Sequence, residues 1–238
     1  MNNTPNLTYE QSVERFSNAP WFNPQLADLR IAVVGVGGVG SWVAFFLSRL
    51  GLFKTITVFD DDEVDTVNLA GQLFSVNELQ INKAAAICNI VTQFSPYAAI
   101  APLSRKFTNA DVGRFDIIFM CPDNLTTRHQ TALKIIEDNL DTLIIDGRLL
   151  AEQFEVFCVN KTNALKYIEE QCPEESSIQD APCNFRQTTH VASMIGSYMV
   201  GILTNHLTNI MNGKSLRKVP YQTRFYTSLI MTTTNGKL

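Results

Sequence analysis

Three glycines near the amino terminus have the spacing of a turn that holds phosphate groups. Gly35, Gly37 and Gly40 fit the pattern G-x-G-x-x-G. Glycine lets the backbone N–H groups of such a turn, and those at the start of a following helix, approach a phosphate closely. Asp60 follows at about the distance at which a carboxylate binds a ribose hydroxyl. The pattern predicts a nucleotide site and leaves open whether the ligand is a mononucleotide or a dinucleotide.

The segments around this turn are of the types that would position it. Residues 30–34 form a short β-branched run without polar alternation, which is typical of a strand buried on both faces. Residues 41–50 carry apolar side chains on more than one helical face and stop at Gly51, a natural end for a helix. The order strand, glycine turn, helix opens a βαβ unit. The alternative is a turn that only allows close packing of helix on strand.

Strands and helices alternate along the rest of the chain. Strand patterns occupy residues 55–59, 98–103, 116–121 and 142–146, and helix patterns occupy residues 83–94, 125–139 and 191–203. This alternation predicts an α/β fold, with a doubly wound, mostly parallel Rossmann-like sheet. Residues 154–159 and 224–233 are typical of antiparallel strands added at the C-terminal end, whereas residues 169–184 predict a loop.

Several further motifs follow the glycine turn, and their combination is specific. They are Asp60-Asp61-Asp62-Glu63-Val64, Asn68-Leu69-Ala70-Gly71-Gln72, Asn82-Lys83, and Cys121-Pro122-Asp123-Asn124 with Arg128. Together they resemble the ThiF/MoeB/HesA family of adenylating enzymes. That family combines G-x-G-G-x-G-S, D-x-D-x-V, N-L-x-R-Q, a helix-opening lysine, and D-N with a downstream arginine. The match covers about residues 29–147, and a dehydrogenase has no reason to carry the Asn68 and Lys83 motifs.

The resemblance implies binding of ATP and Mg²⁺. It also implies attack by a protein C-terminal carboxylate on the α-phosphate, giving an acyl-adenylate and pyrophosphate. The implied nucleotide-binding residues are Gly35, Gly37, Gly38, Gly40, Asp60, Asp62, Asn68, Gln72 and Lys83. Asp60 would hold the ribose, and Asn68 and Lys83 would lie over the phosphates. Asp123 would ligate Mg²⁺. Catalysis would then consist of positioning and charge neutralisation, because the partner's carboxylate is the nucleophile.

Each of these polar side chains also has a plainer interpretation. Lys83 could cap or solubilise its helix, and Asp123 could be the N-cap of the helix predicted over residues 125–139. Asp61 and Glu63 are interpreted as solvated loop charges. Arg128 is interpreted as structural.

Two arginines of the family pattern are missing. Gly71 stands where the arginine of N-L-x-R-Q reaches the triphosphate. Asn18 stands where the amino-terminal motif E-R-Y-S-R has the arginine that crosses a dimer interface to ATP. Arg15, Arg148 or another chain could supply the charge. Two alternatives therefore accompany the adenylyltransferase: a catalytically weak or inactive nucleotide-binding scaffold of the same family, and an NAD-dependent oxidoreductase.

The carboxyl-terminal third bears on the subtype. ThiF and MoeB proteins usually carry two C-x-x-C pairs for structural zinc, and the 5 cysteines of this chain form no such pair, so no zinc is predicted. Residues 146–148, Glu152, Tyr167 and residues 181–186 are similar to the compact ThiF-like proteins of phage and mobile-element gene sets.

Cys183 is the candidate acceptor thiol for the acyl group, because it lies in the segment that carries this thiol in many activating enzymes. Arg186 and His190 are near in sequence and would favour the thiolate. The alternative is that Cys183 anchors its loop against the core. Cys172 is a weaker candidate. The other cysteines, Cys88, Cys121 and Cys158, lie in apolar runs and are predicted to be core residues.

Length and composition bound the remaining possibilities. The 238 residues, 45% of them hydrophobic, predict one globular domain with an arm (1–28), a nucleotide-binding core (29–150) and a partner-facing, sheet-completing portion (151–238). A net charge of −4 argues against nucleic-acid partners. A cytoplasmic protein without membrane contact is predicted, since the sequence has no signal-peptide pattern and no apolar run of about 20 residues. The predicted partner is a small ubiquitin-like or sulfur-carrier protein, and the family resemblance implies a homodimer.

Overall fold

The molecule is built on a seven-stranded sheet with the strand order β3-β2-β1-β4-β5-β6-β7. The structure, a computed structural model, describes residues 9–95, 97–150, 153–172 and 189–226. The strands are β1 (Ile31–Val34), β2 (Ile56–Phe59), β3 (Ile100–Leu103), β4 (Ile117–Met120), β5 (Leu143–Leu150), β6 (Gln153–Val159) and β7 (Gln222–Tyr226). The first five pair in parallel, and β6 and β7 are antiparallel. The predicted fold class is confirmed.

Helices cover both faces of the sheet. They are α1 (Tyr9–Val13), α2 (Gly38–Leu50), α3 (Lys83–Phe94), α4 (Asn109–Val112), α5 (Leu125–Glu137), α6 (Ala164–Gln171) and α7 (Thr189–Asn212). Short 3-10 helices lie at Glu14–Phe16, Pro24–Asp28, Thr66–Asn68 and Val76–Glu78. Each helix that the structure describes is too short or too polar to span a bilayer.

Strand β1 shows why the central strands carry unbroken apolar runs. All four of its residues are buried. Ile31 and Val33 belong to one hydrophobic cluster, which includes residues of α2, α3 and α7. Ala32 and Val34 belong to a second cluster, which includes residues of α4, α5 and α6. Because side chains alternate between the two faces of a strand, a strand covered on both faces needs apolar residues at every position.

Several predicted boundaries are wrong. The strand predicted over residues 142–146 runs on as β5 to Leu150, because β6 pairs with it as far as Gln153. The predicted loop 169–184 begins with a helix instead, since α6 extends through Gln171. The helix predicted over residues 191–203 extends over Thr189–Asn212. Of the strand predicted over residues 224–233, the described part is β7, which starts at Gln222.

Candidate functional site

The glycine turn lies between β1 and α2, and two of its positions accept glycine only. Gly35 has φ +76°, and a Cβ there would lie 2.9 Å from the carbonyl oxygen of Cys121 and from Pro122 Cα. A Cβ on Gly40 would lie 1.8 Å from the carbonyl oxygen of Gly35. Without a side chain at Gly35, the chain after β1 can lie against the backbone of Cys121 and Pro122, which follow β4. Helix α2 starts at Gly38, and Gly37 gives it no capping side chain, so N–H groups of its first turn remain available to an anion.

Asp60 ties the glycine turn to the end of β2. Its Oδ2 accepts a hydrogen bond from the Val36 amide at 2.7 Å, and its Oδ1 accepts one from the Asp62 amide at 3.0 Å. Burial raises the pKa of Asp60, and these two hydrogen bonds counteract only part of that rise. The carboxylate therefore shapes the turn as well as being the predicted ribose ligand.

Lys83 is the first residue of α3 and is only 8% exposed. Its ammonium group lies 2.9 Å from Oδ2 of Asp62, and its amide donates to the Asp62 carbonyl at 2.8 Å. The structure thus brings Lys83 to the acidic stretch that follows β2. Of the plainer interpretations of Lys83, a solubilising surface charge does not fit this burial.

The preceding residue, Asn82, makes this placement possible. Its Nδ2 donates to the carbonyl oxygens of Asp60 and Asp62, both at 3.0 Å. Its Oδ1 caps α3 by accepting from the amides of Ala84 and Ala85. Asn82 was not among the predicted site residues. Its position directly before a helix-opening residue was the available signal, because asparagine is a preferred N-cap.

Gln72 and Asn68 lie in the segment that follows β2. Gln72 Nε2 is 3.7 Å from the place a Cβ on Gly37 would occupy. Its Oε1 is buried and has no hydrogen-bond partner among the described residues. Asn68 accepts a hydrogen bond from the Asp65 amide through Oδ1 at 2.8 Å, which directs its carbonyl oxygen to the backbone. A buried amide oxygen that lacks a donor, beside the glycine turn, fits a polar ligand at this position.

Asp123 follows β4 and is exposed. The interpretation of Asp123 as the N-cap of α5 is wrong, because Asn124 takes that role by accepting from the Thr127 amide at 2.9 Å. Pro122, next to Asp123, contacts the glycine turn at Gly35. The predicted magnesium ligand is therefore one residue from the wall of the predicted phosphate site.

A second group of carboxylates lies nearby. Oxygen atoms of Asp60, Asp61 and Asp62 come within 4.8 Å of one another. Two of these three acids already face cations, since Asp62 pairs with Lys83 and Asp61 lies 3.8 Å from Lys106. Within the part of the chain that the structure describes, Asp123 has no such partner. Its carboxylate, a hard oxygen donor that suits Mg²⁺, fits a metal ligand better than the paired acids do.

The candidate replacements for the missing arginines differ in placement. Asn18 is exposed, and a Cβ on Gly71 would meet nothing within 4 Å. Arg15 lies in the 3-10 helix Glu14–Phe16, and its side chain is outside the described set. Arg148 is not free to replace either, because its donors are bound to Asp146, to the Gln171 carbonyl and to the Tyr167 hydroxyl at 2.7, 2.8 and 2.9 Å. This corrects the prediction that Arg148 could supply the charge.

Four of the cysteines lie in the described residues and are buried or partly buried. Cys88, Cys158 and Cys172 are buried and Cys121 is partly buried. Burial raises the pKa of Cys88 and of Cys158 to about 12, and it also raises the pKa of Cys121 and of Cys172. Cys183 lies outside the described residues.

The interpretation of Arg128 as structural agrees with its buried ion pair to Asp146 at 2.8 Å.

Comparison with known proteins connects these features to a family. The chain matches the family described as the ThiF family over residues 17–235. It is 32% identical to the ubiquitin-like modifier-activating enzyme 5 of Caenorhabditis briggsae over 130 residues. This matched region covers 48% of this chain and 30% of the relative. It is 30% identical over 111 residues to the sulfur carrier protein ThiS adenylyltransferase of Escherichia coli, which covers 44% of each. The matches thus span less than half of these curated relatives.

A solved structure shares the fold. The tRNA N6-threonylcarbamoyladenosine dehydratase TcdA of E. coli, in complex with ATP, superimposes with a TM-score of 0.61 at 16% identity, covering 86% of this chain and 93% of that one.

Proposed function

Because this chain belongs to the ThiF family, we propose that it adenylates the C-terminal carboxylate of a small ubiquitin-like or sulfur-carrier protein with ATP and Mg²⁺. The observation that carries this proposal is the placement of Lys83, a nearly buried cation beside Asp60 to Asp62. That acidic stretch is itself hydrogen-bonded to the glycine turn through Asp60. The names of the relatives support the substrate class, since one acts on a sulfur carrier and another on a ubiquitin-like modifier.

In the proposed reaction, a carboxylate oxygen of the partner's last residue forms a bond to the α-phosphorus of ATP. The bond from this phosphorus to the pyrophosphate oxygen breaks, and the electron pair leaves with pyrophosphate. No proton is transferred, so the chain needs no general base. N–H groups of the glycine turn, the Asn68 amide and Lys83 would orient the phosphates and offset the charge that grows at them. Asp60 would hold the ribose.

Asp123 is the residue proposed to hold Mg²⁺. When bound, the ion would neutralise charge on the phosphates. Asp123 suits this role because its carboxylate is exposed, is not used as a helix cap, and follows the proline that contacts Gly35. Asp62 is proposed to act on the nucleotide through its ion pair with Lys83.

The organisation of the whole protein is also part of the proposal. Residues 29–150 would bind the nucleotide and residues 151–238 would face the partner, in a cytoplasmic homodimer to which Arg15 contributes. Residues 146–148, Glu152, Tyr167 and residues 181–186 support a compact member of the type found in phage and mobile-element gene sets.

Pyrophosphate exchange tests the proposed reaction. The protein is incubated with ATP, Mg²⁺ and radiolabelled pyrophosphate, with E. coli ThiS and other small proteins ending in Gly-Gly as acceptors. We expect acceptor-dependent exchange that falls about 100-fold in Lys83→Ala, a typical loss for a group that stabilises transition-state charge. Lys134→Ala is the matched control, because Lys134 pairs with Asp138 on the surface of α5. ATP binding without exchange for any acceptor would count against adenylation.

Gly71 and Arg148 give a reason to consider a second function. The position of the family arginine is occupied by Gly71, and Arg148 is committed to internal hydrogen bonds. These observations favour a relative that binds ATP without turning it over quickly. Membership of the ThiF family disfavours an NAD-dependent oxidoreductase, which would bind NAD in preference to ATP and be indifferent to Lys83→Ala.

A further inference from the structure

A group of buried charges lies at β5 and is not part of the nucleotide site described above. Asp146 is fully buried. Its Oδ1 accepts from Arg128 Nε at 2.8 Å, and its Oδ2 accepts from Arg148 Nε and from the Tyr167 hydroxyl, both at 2.7 Å. Burial alone would raise the pKa of this carboxyl, but the two arginines outweigh it and lower the pKa of Asp146. The group therefore consists of one carboxylate and two guanidinium ions.

The first arm of this group reaches the turn after β4. Arg128 Nη1 donates to the carbonyl oxygen of Asn124 at 2.8 Å. Asn124 caps α5 and directly follows Asp123, the proposed magnesium ligand. The Arg128 side chain is 6% exposed, and its contact with the exposed residue Asn124 is partly buried. Asp146 thereby fixes the arginine that holds the Asp123–Asn124 turn.

The second arm reaches the end of α6. Arg148 Nη1 donates to the carbonyl oxygen of Gln171 at 2.8 Å, and Nη2 lies 3.4 Å from Cys172 Sγ. The guanidinium lies over the rings of Phe157 and Tyr167, at 4.9 and 5.4 Å from their centres. The chain at Gln171 and Cys172 is the last described part before the segment that contains Cys183.

A third contact links the two arms directly. His129, one residue after Arg128 in α5, has Nδ1 at 3.1 Å from the carbonyl oxygen of Cys172. The first turns of α5 and the end of α6 are thus joined both through Asp146 and beside it.

The chemistry of this group argues for a role beyond stability. Taking the charges of Asp146 and Arg128 out of water is costly, and well-packed apolar residues in such a place are often as stabilising or more so. What the charges provide is directional: one carboxylate fixes two planar guanidinium groups, and each guanidinium holds a backbone carbonyl in a different segment. A neutral amide has only one acceptor oxygen and cannot hold both arginines in this way.

We propose that Asp146 is a positioning residue that couples the Asp123–Asn124 turn to the end of α6. The Mg²⁺-dependent part of ATP binding and the order of the chain at Gln171–Cys172 then depend on each other through Arg128, Asp146 and Arg148. The identity of the ligand rests on the proposed function, whereas the coupling itself does not. The role is structural at both ends and acts on the reaction only by holding the residues that carry it.

Hydrogen exchange measured by mass spectrometry tests the coupling without requiring activity. Peptides covering residues 124–128 and 166–172 are followed in the wild type and in Asp146→Asn. We expect exchange to rise about tenfold in both peptides, as for the loss of a charged hydrogen bond of about 1.5 kcal/mol. Asp111→Asn is the matched control, because Asp111 is also buried and also bridges two arginines, Arg105 and Arg114. Unchanged exchange in either peptide, or a rise in these two peptides that is no larger relative to the rest of the chain than the rise in Asp111→Asn, would overturn the proposal.

Arg148→Lys perturbs the group from the α6 end only and serves if Asp146→Asn does not fold. Lysine cannot bind Asp146 and the Gln171 carbonyl in the same planar arrangement. We expect faster exchange in residues 124–128 as well as in residues 166–172. A response confined to residues 166–172 would mean that Asp146 transmits nothing, and the proposal would be wrong.

Nucleotide binding separates this proposal from the proposed function. ATP affinity is measured with and without Mg²⁺, and the affinity gained on adding Mg²⁺ is expected to fall about tenfold in Asp146→Asn. ATP·Mg²⁺ should slow exchange in residues 166–172 of the wild type but not of Asp146→Asn. A wild type that binds no ATP while both variants change both peptides would refute the proposed function and leave the coupling standing. Binding of ATP with an equal Mg²⁺ effect in wild type and Asp146→Asn would overturn the coupling to the magnesium ligand.

Discussion

The ammonium group of Lys83 lies 2.9 Å from a carboxylate oxygen of Asp62, and the two side chains differ sharply in exposure, at 10% and 66%. The lysine side chain is thus nearly buried in the protein, whereas the side chain of its partner is mostly exposed to solvent. An ion pair of this kind keeps a buried cation in place, and it also competes with any phosphate for that cation. Asp62 therefore affects nucleotide binding in a direction that can be measured.

We expect Asp62→Asn to bind ATP roughly threefold more tightly, the scale of a partly exposed ion pair. The substitution removes a negative charge that competes for Lys83 and repels the triphosphate. Titration with a fluorescent ATP analogue measures the change. Asp138→Asn, which removes the surface partner of Lys134, should leave the affinity unchanged. Weaker binding in Asp62→Asn would instead show that Asp62 contacts the nucleotide directly.

Gly71→Arg restores the arginine of the family pattern. A side chain at this position meets nothing within 4 Å at its Cβ, so the substitution should not disturb the fold. We expect ATP affinity, and exchange activity where present, to rise about tenfold, the lower end for a charged hydrogen bond of about 1.5 kcal/mol.

Gly201→Arg is the control for this substitution. Its Cβ also meets nothing within 4 Å, and it changes the net charge equally on α7. An equal gain in both variants would mean that net charge alone is responsible. No gain in Gly71→Arg would show that this chain does not use the position for the triphosphate.

The ion pairs of Asp111 predict a pH dependence of stability. Hydrogen bonds from Arg105 and Thr108 lower the pKa of Asp111. The folded state therefore holds the ionised form more strongly than the unfolded state does. The resulting stability is present above the unfolded value of 3.8 and is lost as the pH falls through the folded value below it. We expect Asp111→Asn to lower the free energy of unfolding at pH 7 by about 2 kcal/mol.

Urea unfolding at a series of pH values checks this expectation. The difference between wild type and Asp111→Asn should shrink as the pH falls below the ordinary value of a carboxyl group. A difference that stays constant through this range would mean that the arginines contribute nothing through charge.

The sequence predicted the glycine turn of the candidate site better than it predicted α6 and the C-terminal part of β5. Gly35 and Gly40 could be identified because sterics leave no other residue possible at those contacts, and such a requirement is visible in the chain itself. Helix α6 was missed because it lies in a polar stretch and buries only two of its residues, Ala164 and Tyr167. The long extension of β5 depends on pairing with β6, a non-local contact that local patterns do not contain.

The candidate site shows the same limit. Lys83 could be predicted from its motif, but its ion pair with Asp62 depends on how α3 is capped by Asn82. From the sequence alone, Asp146 is interpreted only as the polar last residue of an apolar strand. Its two arginines come from positions 18 residues before and 2 residues after it in the chain, and only the folded chain brings all three together.

The described thiols narrow the choice of an acyl acceptor. The chain has 5 cysteines, and burial raises the pKa of the four that are described, Cys88, Cys121, Cys158 and Cys172. A thiol with a raised pKa forms little thiolate and is a poor nucleophile. If the adenylate passes its acyl group to this chain, Cys183 is the remaining candidate. We expect a thiol-sensitive adduct with the carrier protein that is lost in Cys183→Ala and retained in Cys172→Ala, as seen on non-reducing gels. An adduct that persists in Cys183→Ala would refute the assignment. One of the other four cysteines would then have to become exposed and react.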